Sequence, residues 1–370
     1  MEATNRAYVF ADSVDTFKRA AAAQALAMGS FQRAGHNPTH PEPTNFLAGD
    51  ATVLTSRFNA APGATYVDPE TGEIITKRSD PDASYYTVLD EFGNAKRDKV
   101  YGTKFGILHT RQPYEAEQII TDIFHITTGQ NREALAVERA VQDFHRLVPS
   151  LAGLVYDMAI RGVNREHFYD LGLHTITKCP QLRKGQPRSR SLGAVDARKG
   201  SDDVQTVEVW AINGSPHMST IVDGRREHVR LERVRTQIVK NKRSRKKDCR
   251  AYRWYGHYEI PRDDARVPTR LRGARVVLRL DDPDCQRAPY SRADNLHSIA
   301  PGEADWERLF DLRNPTESIN WWIKSRLQGR RSRAPAVGAA RQHFWLIGVA
   351  LYNNYQALVA HAQRTETAAA

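Results

Sequence analysis

At 370 residues the chain has room for one large domain or two ordinary ones, and 40% apolar residues are enough for a sizeable core. A net charge of +11 points to a polyanionic partner, either nucleic acid or an acidic membrane surface. Membrane insertion is not expected, because the most apolar stretch, Phe344 to Tyr352, is far too short to span a bilayer and runs into Asn353 and Asn354.

The N-terminus, MEATNRAYVF, has no positive segment leading into an apolar run, so no signal peptide is expected. Cys179, Cys249 and Cys285 lie far apart without metal-ligand spacing and read as reduced thiols of a cytoplasmic protein. Residues 1–45 form a helical extension, with one alanine-rich helix over roughly Thr16 to Met28, followed by the loop HNPTHPEPTN. No second helix with a tight turn follows, so a helix-turn-helix is not expected.

FLAGDATVLTSR predicts a strand. SYYTVLDEFGNAKRDKVYGTKFGILHT predicts two strands joined by a turn at Phe92-Gly93-Asn94. Asn131 to Leu147 carries Leu135, Val137, Val141, Phe144 and Leu147 at helical spacing. LAGLVYD is a short apolar run consistent with a buried strand, Arg165 to Leu171 a short helix, and LHTITKC another strand. The order is mixed α/β, with an antiparallel start and a parallel continuation.

Residues 183–275 differ. They hold 24 Lys and Arg against 11 Asp and Glu, a net +13, which leaves about −2 for the rest of the chain. VQTVEVWAI, EHVRLERV, CRAYRWYGHYEI and ARVVLRL alternate in strand fashion, so 183–304 is expected to be a basic, β-rich insertion. Within it KNKRSRKKDCR reads as a loop. The chain closes with two helices, Pro315 to Gln328 and Ala340 to Ala360.

Two aspartates end apolar runs: Asp50 after FLAG and Asp157 after LAGLVY. A carboxylate at the end of a buried strand sits at the sheet edge, where ligands gather, and two of them make a hard-oxygen site for Mg²⁺ or Mn²⁺. The alternative is that each caps the turn that follows. Asp68 in VDPETGE and Asp80 in SDPDAS lie in turn-like sequence and end no apolar run, which favours Asp50 as the first carboxylate. Near the C-terminus, FDLRNPTESINWWIKSRL spaces Phe310, Arg313, Glu317 and Lys324 so that Lys324 falls two helical turns beyond Glu317. Asn314, Pro315 and Glu317 also fit a capping box, in which Glu317 satisfies only backbone donors.

This last pattern resembles the Y-R-E-K signature of DDE-type bacterial insertion-sequence transposases. GDATVLTSR and LVYDMAIRGV are similar to the first- and second-Asp motifs of that family, and RQHFWLIGVALYNNYQALVAH to its closing helix. The resemblance covers residues 46–182 and 305–361. It implies a ribonuclease H-like catalytic domain in those two segments, with Asp50, Asp157 and Glu317 as catalytic residues holding Mg²⁺ or Mn²⁺, two ions in all. It also implies phosphate contacts from Arg313 and Lys324, and partners that are double-stranded DNA (transposon ends and target DNA) and a second copy of the chain in the DNA complex. In related transposases an aromatic of the insertion stacks on a flipped base; Trp210 and Trp254 are the candidates here, and both also suit the core of the β unit. Trp321 and Trp322 lie on the Glu317 helix, one expected in the core and one facing DNA. Lys242, Arg243, Arg245, Lys246 and Lys247 are the expected phosphate contacts of the insertion. His109, His125, His174 and His217 lack ligand spacing and read as structural. Two departures stand out: Phe310 replaces the usual Tyr, and the expected N-terminal DNA-binding domain is not visible in residues 1–48. A DNA-binding protein derived from a transposase, or a nonspecific metal nuclease, would share most of these features.

Overall fold

A computed structural model describes residues 2–32, 37–59, 61, 63–89, 95–111, 118–129, 131–179, 189–200, 203–241, 251–281, 292–328 and 333–369. Contacts divide the chain into two units. One comprises Met1–Gln32, Leu47–Pro149 and Leu312–Ala370, the other Arg33–Phe46 and Ser150–Asp311.

The first unit begins with α1 (Glu2–Ala27), twice the length expected from Thr16 to Met28, and continues into β1 (Phe46–Thr55). A short antiparallel hairpin, β2 (Thr65–Val67) and β3 (Ile74–Thr76), precedes β4 (Ser84–Leu89) and the long β5 (Ala95–Arg111). The turn expected at Phe92-Gly93-Asn94 lies outside the described residues. β5 pairs with β1 through 102–109 on one edge; on the other it takes β4 along its first half and β6 (Gln118–Ile126) along its second, all antiparallel. β5 carries glycine where neighbours come closest. A Cβ on Gly102 would sit 2.2 Å from the Leu54 carbonyl oxygen, and one on Gly106 2.3 Å from the Phe124 ring. α2 (Arg132–Leu147) buries Val137, Val141 and Phe144 as its periodicity predicts, with Ala134 and Ala140 completing that face.

In the second unit β7 (Gly153–Val155), α3 (Val163–Asp170) and β8 (His174–Ile176) form a short parallel βαβ unit. The insertion is an antiparallel sheet of seven strands: β9 (Ser189–Lys199), β10 (Asp203–Ile212), β11 (Ser215–Val222), β12 (Arg225–Arg230), β13 (Glu232–Lys240), β14 (Tyr252–Glu259) and β15 (Arg275–Arg279). They are ordered β12-β11-β10-β9-β15-β14-β13. Residues 150–179 fall in the same unit as this sheet. The physical reason is burial. Trp254 of β14 stacks on Tyr169 of α3 at 4.7 Å and donates its indole N–H to the Tyr169 carbonyl at 2.7 Å. Arg165, also on α3, is fully buried and donates to the Ala293 carbonyl at 3.0 Å.

α4 (Ala304–Phe310) closes the second unit, where Phe310 stacks on Trp306 at 4.4 Å. The chain then returns to the first unit with α5 (Asn314–Gln328) and α6 (Ala339–Ala369). Phe17 and Ala21 of α1, Ile319 and Ile323 of α5, and Leu346, Ile347 and Ala350 of α6 pack with Leu54, Phe105, Ile107, Ile120 and Ile123 of the sheet. Asn354 seals the outer edge of β6. Its amide accepts from Ile120 N and donates to Ile120 O, both at 2.8 Å, as a neighbouring strand would. Asn353 Nδ2 donates to the Gln118 carbonyl beside it at 2.7 Å. No described helix is long and apolar enough to cross a membrane.

Candidate active site

Asp50 does not end a strand. β1 continues five residues past it, because Thr52 and Leu54 keep alternating into the core and the pairing with β5 runs on to Thr55 opposite Gly102. Asp50 therefore stands mid-strand, opposite Ile107, on a sheet that fixes its backbone from β5. Its Oδ1 accepts from Ala51 N at 2.8 Å, and its Oδ2 lies 3.5 Å from the Arg313 guanidinium.

Arg313 ends a 3-10 turn, Asp311–Arg313, that leads directly into α5. Asn314 is thus the first residue of α5 and not a cap ahead of it. Three residues beyond Arg313, Thr316 is fully buried and its hydroxyl lies 2.7 Å from His109 Nε2 on β5. Burial, reinforced by the charge of Arg111, pushes His109 down to about 3, so the imidazole is neutral at physiological pH. This contact between residues 207 apart in sequence pins the first turn of α5 to the strand beside Asp50.

Glu317 follows Thr316 and is exposed. Trp321, one turn on, is 71% exposed, while Trp322 is partly buried and stacks parallel to Tyr352 of α6. Two turns beyond Glu317, Lys324 is exposed by area. Crowding around its ammonium still lowers its pKa, and the charge of Asp50 acts in the opposite direction. Asp50, Arg313 and Lys324 are thereby electrostatically linked, and Thr316 holds the helix that carries Glu317 against the same sheet.

Asp157 belongs to the second unit and, as expected, lies just past a strand, two residues beyond β7. Among the described residues no group of three or more His, Cys, Asp or Glu is arranged to hold a metal. Asp50 and Glu317 nevertheless offer hard carboxylate oxygens on solvent-accessible side chains, which suit Mg²⁺ or Mn²⁺.

Comparison with protein-family models, curated proteins and solved structures finds no match to this chain.

The competing carboxylates are structural. Asp68 Oδ1 accepts from Glu70 N at 2.9 Å and Thr71 N at 3.3 Å, closing the turn between β2 and β3. Asp80 is fully buried, accepting from Gly338 N at 3.1 Å and Gln342 Nε2 at 3.0 Å; with Asp82, which accepts from Ala339 N at 2.7 Å, it fixes the start of α6. Trp254 is corrected. It is fully buried between Tyr169 and the edge of His174, so no base can reach it. Trp210 is partly exposed at an irregularity in the β9–β10 pairing, donates to Glu208 at 3.0 Å and lies under Arg226 at 5.9 Å.

Lys242, Arg243, Arg245, Lys246 and Lys247 lie outside the described residues. Within the described part of the sheet, basic residues share the solvent side of four neighbouring strands. Arg198 and Arg275 are directly opposite on β9 and β15, and Arg235 is opposite His257 on β13 and β14. Burial and the charges of Arg235 and Arg275 lower the pKa of His257. Sequence reasoning passed over this surface in favour of the Lys/Arg run, although the alternation of β13 to β15 marks those residues as outward-facing. His109, read as structural, is buried and hydrogen-bonded as a structural residue is. No local signal links His109 to Thr316, because the contact exists only in the folded chain.

Proposed function

We propose that this chain is the catalytic part of a DDE-type DNA transposase with a ribonuclease H-like core, in which Asp50, Asp157 and Glu317 hold two Mg²⁺ or Mn²⁺ ions. The single observation that carries the reading is the link from Asp50 to the α5 motif: Arg313 at 3.5 Å, Lys324 within its field, and Glu317 next to the buried Thr316–His109 contact. A simple capping box requires none of these.

Two ions held by Asp50, Asp157 and Glu317 would activate the attacking oxygen and stabilise the leaving one. In the first step water attacks the phosphorus at the element end and the P–O3′ bond breaks. In the second, the freed 3′-hydroxyl attacks a target phosphodiester, so one phosphodiester is exchanged for another. Arg313 offsets the Asp50 charge in the free protein and, with Lys324, carries positive charge for the phosphate undergoing attack. Exposed Trp321, one turn from Glu317, offers a face for an unstacked base. On the β sheet, Arg198 and Arg275 stand opposite each other, with Asp196 3.7 Å from Arg198 and Glu259 opposite Arg275, and offer exposed charge to a phosphate backbone. The partners are double-stranded DNA and a second copy in the DNA complex, and the site of action is the cytoplasm.

A second reading, a DNA-binding protein that does not cut, draws on the lack of a three-donor group among the described residues. Incubation with duplexes taken from the DNA on either side of the gene, with and without Mg²⁺, separates the two readings. Metal-dependent 3′-hydroxyl ends support the transposase; tight binding without cleavage supports the alternative.

A further inference from the structure

In the first unit, the chain after β1, the β2–β3 hairpin and the start of β4 enclose a cleft of about 690 Å³, within the range of small-ligand sites. Phe58, Asn59, Tyr66 and Tyr85 line it together with Lys77 and Arg78. Lys77 N donates to the Ala64 carbonyl at 2.8 Å and closes the base of the hairpin, which pairs with no other described strand. Tyr85 leans on Tyr101 of β5 with ring centroids 4.9 Å apart. That contact steadies the Tyr85 ring yet leaves it 51% exposed, and Tyr66 is 44% exposed. The cleft therefore offers aromatic surface that the chain itself does not cover.

Charge defines what could cover it. None of the lining residues is acidic. Lys77 Nζ lies 5.9 Å over the Tyr66 ring, and among the described residues neither Lys77 nor Arg78 has an ion-pair partner. The acids that follow in the chain are engaged elsewhere: Asp80 accepts from Gly338 N and Gln342 Nε2, and Asp82 from Ala339 N. Two uncompensated cations beside exposed rings suit a ligand that is both planar and anionic. A nucleobase stacks on the rings, since every base has a π face, and its phosphate takes Lys77 and the guanidinium fork of Arg78. A cationic ligand would be repelled here, and an uncharged aromatic would leave both cations unused.

We infer that this cleft binds a free nucleoside monophosphate, its base against Tyr66 and Tyr85 and its phosphate on Lys77 and Arg78. Two cations match one phosphate group and provide no track for a polynucleotide. The turn at the far end of the hairpin carries Asp68, Glu70 and Glu73, which repel a phosphate backbone continuing that way. The site shares no residue with Asp50, Asp157 and Glu317, and the inference does not depend on the catalytic reading.

Equilibrium dialysis of adenosine monophosphate against the full chain tests it, in EDTA so that no metal bridges the phosphate to a carboxylate. One nucleotide binds per chain with a Kd on the order of 100 µM. Adenosine and inorganic phosphate each satisfy half of the cleft and bind more weakly by about tenfold or more. Lys77→Ala with Arg78→Ala, both exposed, weakens nucleotide binding by about tenfold or more at an unchanged Tm. Tyr66→Ala weakens it roughly 5- to 150-fold, the range of one lost base stack, whereas Tyr66→Phe keeps the ring and retains binding. The absence of saturable binding, or binding that survives the Lys77 and Arg78 substitutions, overturns the inference. So does an oligothymidylate of about a dozen nucleotides that displaces the nucleotide more effectively, per residue, than free thymidine monophosphate does, because the occupant would then be a strand.

Discussion

Replacing Thr316 with valine keeps the shape of the side chain and removes only the hydroxyl that meets His109 at 2.7 Å. The loss is larger than one net hydrogen bond. His109 is fully buried and its Nδ1 has no hydrogen-bond partner among the described residues, so the substitution strands the second ring nitrogen as well. An unsatisfied buried polar group costs about 1–3 kcal/mol. The imidazole cannot escape by protonating, because burial holds its pKa near 3. The expected destabilisation of about 1–3 kcal/mol corresponds to a fall in Tm of roughly 2–10 °C. Urea unfolding followed by circular dichroism measures it directly. Because the same contact aims Glu317, strand cleavage should fall further than stability, by about 10- to 100-fold, in the range produced by small misplacements of a catalytic group. His109→Gln, with Thr316 intact, keeps a nitrogen near the Nε2 position for the hydroxyl and should lose less of both than Thr316→Val does. Full stability and full activity in Thr316→Val would refute the view that this contact positions the site.

Asn354→Leu removes the amide that stands in for a strand beside Ile120 and leaves two buried backbone groups unpaired; it should cost about 2–4 kcal/mol in urea unfolding, whereas Asn353→Leu, with one carbonyl partner, should cost less. Stability should fall on acidification. His109 and His343 are pushed down by burial to about 3 and about 4, so the folded chain resists protons that the unfolded chain takes up below about pH 6.5. Their contribution is present above that pH and is lost as pH falls. Asp122, raised to about 6 by burial despite Lys18 at 2.9 Å, works in the opposite sense, losing stability as pH rises from about 4 to 6. The histidines shift further, and His297, lowered by burial and by Arg165, acts in the same sense, so stability falls on balance from pH 7 to 4, readable from urea midpoints. Replacing Arg198, Arg235 and Arg275 with alanine should weaken duplex binding for all sequences alike and flatten the log–log salt dependence by about 0.9 per lost contact; an unchanged slope moves the DNA path off this face. Trp321→Ala should impair cleavage with little effect on stability, while Trp254→Ala should unfold the second unit at an expected cost of about 3–5 kcal/mol.

What could be read from the sequence follows from how each element is buried. The strands of the basic sheet bury one face, so alternation marks them, as in Tyr252–Glu259 with Trp254 and Tyr258 inward. β6 went unrecognised because it is buried on both sides; QIITDIFHI buries Thr121 and Asp122 among its apolar residues and shows no alternation. The N-terminal half of α1 lacks the alanine-rich pattern that marks its second half. Asp50 was singled out among the early aspartates as the end of an apolar run, but FLAG ends mid-strand. Of the proposed site, the spacing Arg313, Glu317, Lys324 was visible locally, because helix geometry repeats over short distances. The ties to Asp50 and His109 were not, because they join segments more than 200 residues apart. Trp254 shows the converse error: an aromatic in a basic strand suggests a nucleic-acid contact, and only the Tyr169 stack reveals it as core.

The most direct test of the central claim is cleavage by Asp157→Asn alongside the parent chain, on duplexes taken from the DNA on either side of the gene, in Mg²⁺ or Mn²⁺. The substitution removes one negative charge and leaves the shape of the side chain intact, so the variant should fold and bind DNA as the parent does. The account predicts metal-dependent nicking with a free 3′-hydroxyl by the parent, none detectable by Asp157→Asn, and the same loss in Asp50→Asn and Glu317→Gln. Cleavage by Asp157→Asn at the parental rate would contradict it.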